Sequence, residues 1–207
     1  MKKLLILLMM LPMLSFGRKI YVSATGSDSY TIVQAQNPST PWQTLTKVGT
    51  QLSVLTSGDS ILFKKGDKFG GKITITGKNG LYFGVYGTGA DPLFWGTGGA
   101  VNPLVYVVGS SNITVYGWNI SDTTISFSDR TVQANLQIAF QFDNSTNSTI
   151  RKCTMDRIGY GAYLTRTSSY ITVDSCSIGN LRMIKNTPTS VNNNDDYGGV
   201  PVQLSTA

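Results

Sequence analysis

Histidine is absent from this 207-residue chain, and cysteine occurs only twice, at Cys153 and Cys176. Without histidine there is no Ser-His-Asp triad, no Cys-His pair and no His-ligated zinc. Any chemistry must rest on Asp, Lys, Arg, Tyr or a bound cation. Lys and Arg never run beyond two in a row, and the formal net charge is +6. Nucleic acid is therefore a poor partner. A diffuse positive surface suits an acidic glycan, and equally suits nothing in particular. The longest apolar run, Leu4 to Phe16, is too short to span a bilayer, so no membrane span is expected.

That run follows Lys2 and Lys3 and precedes small residues, Ser15 and Gly17, at −3 and −1 of a cut after Gly17. Residues 1–17 thus read as a secretory signal, with no cysteine after it for a lipid anchor. The chain is expected to be bacterial and secreted, extracellular or at the cell surface. The remainder is long enough for one domain with a real core.

Only one helical period is legible. Thr40-Pro41-Trp42-Gln43 carries a capping-box pattern, and Trp42, Leu45, Val48, Leu52 and Leu55 then recur every three or four residues. A helix over Pro41 to Leu55 is expected. Before it lie a short strand at Ile20 to Val22 and a polar loop. After Gly58 the chain is strand and turn: short runs rich in Val, Ile, Tyr, Phe and Thr are separated by Gly, Asn, Ser and Asp. The chain divides into a signal (1–17), an N-terminal strand, loop and helix (18–57) and a β region (58–207).

The β region repeats. Ile150, Cys153, Met155 and Ile158 match Val173, Cys176, Ile178 and Leu181 at a constant offset of 23, and Val115, Trp118, Ile120 and Thr123 keep the same internal spacing. Apolar side chains returning in one phase suit a parallel β-helix, in which three strands and three turns make a rung and rungs lie about 4.8 Å apart. Cys153 and Cys176 would stack in one interior corner, as buried thiols or as a disulfide. The amphipathic helix would cover the open N-terminal end of the solenoid.

The segments Tyr21 to Asp28, Pro41 to Leu45 and Ser57 to Asp67, with later coils such as Ser168 to Ile178, resemble the secreted bacterial right-handed β-helix proteins of the pectate-lyase-like superfamily. The resemblance covers most of residues 20–204. It implies an all-β fold, a right-handed parallel β-helix (solenoid) with an N-terminal capping α-helix. It also implies a polysaccharide partner, since members include polysaccharide lyases, glycoside hydrolases and non-catalytic adhesins. Such proteins run through more coils than are visible here. The chain reaches Ala207 just after a strand opens a new rung and shows no C-terminal cap, so it is expected to be incomplete at the C-terminus. A monomer is expected.

In the enzymes of that superfamily the substrate groove runs along the first strand of each coil. If Val105, Val107, Phe140, Phe142, Ala162, Leu164, Val202 and Leu204 point inward there, Tyr106, Gln141, Tyr163 and Gln203 form one outward column. Aromatic faces stack on sugar rings and amides bond hydroxyls, so the column reads as a glycan track. It reads equally as a solvent face of ordinary strand formers.

Long insertions follow the third strand of a coil. The one from Arg182 to Gly199 carries Arg182 and Lys185 at one end and Asp195 and Asp196 at the other. A lyase would use Arg182 or Lys185 as base or clamp, with Asp195 and Asp196 holding Ca²⁺. Lys152, Arg157 and Arg166 are further cationic candidates. A hydrolase would draw two carboxylates from Asp156, Asp174, Asp195 and Asp196. Each of these charges also reads as a solvated surface group, and the Asn-Asp run as a turn. The sequons at Asn112, Asn119, Asn144 and Asn147 are read as coil-turn chemistry and not as glycan sites.

Overall fold

A computed structural model of the chain describes residues 17–95, 103–123, 136, 138–182, 184–185, 196–197 and 199–205, without the side chains of 184–185 and 196–197. The strands, in chain order, are β1 (Lys19–Val22); β2 (Ser60–Lys64), β3 (Lys68–Gly70) and β4 (Ile73–Thr76); β5 (Tyr82–Tyr86), β6 (Leu93–Trp95) and β7 (Val105–Val108); β8 (Thr114–Tyr116), β9 (Asn119–Ser121) and β10 (Ile138–Asp143); β11 (Thr149–Arg151), β12 (Thr154–Asp156) and β13 (Tyr160–Thr165); β14 (Thr172–Asp174) and β15 (Ser177–Gly179); then β16 (Ile184–Lys185), β17 (Asp196–Tyr197) and β18 (Val200–Ser205).

From β2 to β15 every third strand joins the same parallel sheet. Sheet 1 is β4-β7-β10-β13-β18, sheet 2 is β1-β2-β5-β8-β11-β14, and sheet 3 is β3-β6-β9-β12-β15. This is a parallel β-helix. β16 and β17 stand apart as a short antiparallel ladder within the last insertion.

Like residues lie over like, as the repeat requires. Ile20, Ile61, Phe83, Val115, Ile150 and Val173 are successive register partners in sheet 2. Phe69, Phe94, Ile120, Met155 and Ile178 do the same in sheet 3. These columns line one continuous core. Aromatic residues fill the early coils: Phe94 and Trp118 stack at 3.8 Å, and Phe63 meets Phe69, Phe94 and Trp118 edge-on. Later coils narrow to aliphatic and sulfur side chains. Cys153 (buried) and Cys176 (half-buried) are neighbours at the turns just before β12 and β15 and are free thiols. The adjacent Cys176 sulfur and burial push the Cys153 thiol up.

Corners between strands are turned by single residues with positive φ. Gly80, Asn112, Asn147 and Tyr170 (φ +67°, +54°, +50° and +54°) follow one another up the stack, as do Lys152 and Ser175. Asn tolerates this region better than most residues, which accounts for Asn112, Asn144 and Asn147. Asn119 departs from the expectation. It lies inside β9, between Leu93 and Thr154, and is strand and not turn. Tyr170 is an exposed turn residue, since β14 starts at Thr172.

The helix is shorter than its apolar period suggested. It runs Leu45–Gln51 (α1), followed by a 3-10 turn at Leu52–Val54. Its N-cap is Thr44 and not Thr40. The Thr44 side chain accepts from Lys47 N at 3.0 Å, while Asp28 accepts from the Gln43 and Thr44 amides and from the Thr44 hydroxyl. Trp42 stays extended, bridged to Val22, and its indole donates to the Tyr30 carbonyl. Leu45, Val48, Leu52 and Leu55 are buried in the core cluster, so the helix closes its N-terminal side.

Candidate functional site

Period two along a strand sends Val105 and Val107, Phe140 and Phe142, and Ala162 inward, where all are buried. Tyr106, Gln141 and Tyr163 between them must face out. The register makes Thr74, Tyr106, Gln141, Tyr163 and Gln203 successive partners across five rungs of sheet 1. The column drawn from sequence therefore exists, with Thr74 added at its start. With rungs about 4.8 Å apart, Tyr106 and Tyr163 lie about 10 Å from one another. The Tyr160 ring stacks on Tyr163 at 5.3 Å, widening the aromatic surface. Val202 and Leu204 continue the inward column by register but are 42% and 70% exposed, since nothing among the described residues lies over β18.

Asp143 is the residue that sequence reading missed. It stands two positions after Gln141 and so shares its face, a placement the same alternation would have given. It is 4% exposed and accepts the Tyr106 hydroxyl at 2.9 Å. Arg166, at the turn that ends β13, brings its Nε to 3.4 Å of the other carboxylate oxygen. Burial, and the Asp143 carboxylate beside it, push the Tyr106 hydroxyl above the usual tyrosine range. Among the described residues Asp143 is the one acid facing out from sheet 1.

The remaining candidates do not gather there. Asp174 faces out from sheet 2 and pairs with Arg151 at 2.8 Å. Lys152, at the corner after β11, reaches over the Tyr116 ring of sheet 2. Asp156 and Arg157 pair at 2.8 Å on sheet 3. Arg182 is 1% exposed, and its amide donates to the Ile158 carbonyl, so this residue is sunk into the fold and not displayed on the open face. Lys185 and Asp196 are drawn together as backbone partners in the β16-β17 ladder. Asp195 lies outside the described residues. Among the described residues no group of three or more acidic or thiol side chains converges as a metal cage.

After β6, β9 and β15 the chain leaves sheet 3, and it rejoins sheet 1 at β7, β10 and β18. The β9 insertion is pinned at its base: buried Asp122 accepts the Leu136 amide at 3.0 Å. No helix among the described residues is long and apolar enough to cross a membrane.

Three parallel sheets, a helical lid on the first coils and an aromatic–amide column on one face define a parallel β-helix solenoid protein. A solved structure of similar fold is the GH136 lacto-N-biosidase from Eubacterium ramulus (selenomethionine derivative), with TM-score 0.57 and 17% identity over 78% of this chain. The chain spans about a third (34%) of the length of that protein. No protein-family model matches the chain, and no curated protein sequence matches it.

Proposed function

We propose that the chain is a secreted carbohydrate-active β-helix protein whose sheet 1 face holds polysaccharide across its rungs. The observation that carries this reading is the single register column Tyr106-Gln141-Tyr163-Gln203. Rings and amides alternate in it on a rigid scaffold, as sugar rings and hydroxyls require. Arg166 adds one exposed cation on that face, which suits an acidic glycan. The fold shared with a lacto-N-biosidase supports glycan work, and the apolar N-terminal run supports export.

In the catalytic form of this reading the protein is a lyase or a glycoside hydrolase. A hydrolase needs two carboxylates. Asp143 is one, and Asp195 or Asp196 on the last insertion would supply the second. A lyase would use Lys185 as base or clamp, with Arg182 supporting the insertion from within the fold. Asp195 and Asp196 would hold a cation such as Ca²⁺. A non-catalytic glycan-binding or spacer module is the second reading. It is favoured by the engagement of Asp143, whose two oxygens already meet Tyr106 and Arg166.

Retention in affinity gels containing polygalacturonate or alginate tests the face: Tyr163→Ala should lose retention, and unchanged migration of a folded variant removes the column from consideration. The protein, incubated with the same polymers and assayed for unsaturated product and for new reducing ends, separates lyase, hydrolase and binder.

A further inference from the structure

Sheet 3 carries a concave site that the sheet 1 column does not touch. Its inward residues, Phe94, Ile120 and Met155, are fully buried. Its outward residues are short and polar: Asn119, Thr154 and Ser177 follow Leu93 in one column, and Ser121, Asp156 and Gly179 form the next. Small side chains leave a groove of about 310 Å³.

One wall of the groove is a network of three planar groups. Asp156 accepts Arg157 Nε at 2.8 Å on one carboxylate oxygen and Asn180 Nδ2 at 2.7 Å on the other. The Arg157 terminal nitrogen donates to the Ser121 hydroxyl at 3.0 Å. The network fixes each group while leaving capacity to spare. The guanidinium carries five N–H donors, of which Nε and one terminal nitrogen are engaged, and a carboxylate accepts on about four sites. At Gly179 the side chain is missing where the groove needs room: a Cβ there would meet nothing within 4 Å.

The charge on this wall sums to zero, so it does not select an ion. Planar donors and acceptors side by side match vicinal hydroxyls, which donate and accept at once. Leu93 at the edge offers an apolar contact for the C–H face of a ring. A groove this size sits at the small end of ligand sites, about 300–1,000 Å³, and takes one or two sugar rings, not an extended chain. We propose that the Asp156–Arg157–Asn180 groove of sheet 3 is a ligand site for a neutral mono- or disaccharide unit. It is separate from the sheet 1 column, and it rests on its own chemistry and not on the polysaccharide reading of that face.

Calorimetric titration of the protein with neutral disaccharides (cellobiose, lactose and maltose) and with digalacturonate tests the assignment. At least one neutral sugar should bind and digalacturonate should not displace it. Gly179→Tyr fills the groove from an extended strand position that does not require glycine, and should weaken that binding at least tenfold. Asn180→Gly keeps the positive-φ corner, since glycine adopts it freely, and should weaken it severalfold. Both variants should keep wild-type circular dichroism and retention on polygalacturonate. Three results would each overturn the site: no neutral sugar binds the wild type; binding survives undiminished in both variants; or Tyr163→Ala abolishes the neutral-sugar binding while Gly179→Tyr leaves it intact. If Gly179→Tyr alone misfolds, Asn180→Gly and Asp156→Asn decide the matter by the same criteria.

Discussion

Tyr106 and Asp143 are joined by a 2.9 Å hydrogen bond although they are not register partners: Tyr106 lies opposite Gln141, and Asp143 opposite Val108. The phenol reaches diagonally across neighbouring rungs and gives a buried carboxylate a donor it would otherwise lack. Tyr106→Phe should therefore destabilise the protein by about 1–3 kcal/mol, the cost of an unsatisfied buried acceptor. Arg166→Ala, which removes a largely exposed partner, should cost about 0–1 kcal/mol. Urea denaturation midpoints of the two variants check the order. Equal effects would mean that the Tyr106 hydroxyl contributes nothing particular.

The start of the fold is tied by Arg18 and Asp59. Asp59 is buried and accepts from the Arg18 guanidinium, the Arg18 amide at 2.8 Å and the Thr56 amide at 2.9 Å. Burial pushes its carboxyl up, but these donors outweigh burial and hold it below the usual carboxylate range. A depressed folded pKa means stability that is fully present above the unfolded value of about 3.9 and lost as pH falls through the folded value. Asp59→Asn should lower stability at neutral pH, and the gap from wild type should shrink on acidification below about pH 4. A gap independent of pH would refute the linkage. Export with cleavage after Gly17 would turn the Arg18 amide into an α-ammonium at this carboxylate, so N-terminal sequencing of exported protein should begin at Arg18.

On sheet 2, burial first, then Asp67 and Tyr21, push the Tyr86 hydroxyl to about 12. Its ring meets Tyr21 edge-on at 4.9 Å. A raised folded pKa means that this contribution is fully present below the unfolded value of about 10 and lost as pH rises through about 12. Following tyrosinate absorbance up the pH scale should show a late-ionising group that Tyr86→Phe removes. If the variant titrates like the parent, Tyr86 is not held protonated.

The corner at Asn147 has φ +50°. Asn147→Gly should be neutral or slightly stabilising, and Asn147→Val should cost about 1–2 kcal/mol, because a branched Cβ clashes in the left-handed region. Thermal midpoints of the pair check this, and equal midpoints would argue against a backbone role.

Leu45 begins α1 and is 1% exposed. Leu45→Asp should open the N-terminal side of the core, with a loss of about 2–5 kcal/mol and concentration-dependent association in light scattering. A monomeric variant as stable as the parent would mean that the helix does not act as a cap.

The solenoid was legible in the chain because stacking forces like residues to recur. The 23-residue offset between Ile150 and Val173 is a direct image of their pairing. The Tyr–Gln column followed from alternation along the strand that the family resemblance singled out, since a side chain between two inward apolar residues has one direction left. Alternation carried two residues further would have yielded Asp143. The helix start was misplaced because Pro41 and Gln43 satisfy a local capping rule, while the Asp28 carboxylate and the Val22 bridge keep that stretch extended until Thr44. What sequence could not apportion was charge. Asp143, Asp156 and Asp174 look alike in the chain, yet sheets 1, 3 and 2 take one each and give each a different cation: Arg166, Arg157 and Arg151. The burial of Arg182 was equally hidden, because exposure depends on packing between coils that lie far apart in sequence. Period and offset are local properties that a single chain records. Which charges meet is a property of the coiled whole, set by how many residues each insertion adds before the chain returns to its sheet.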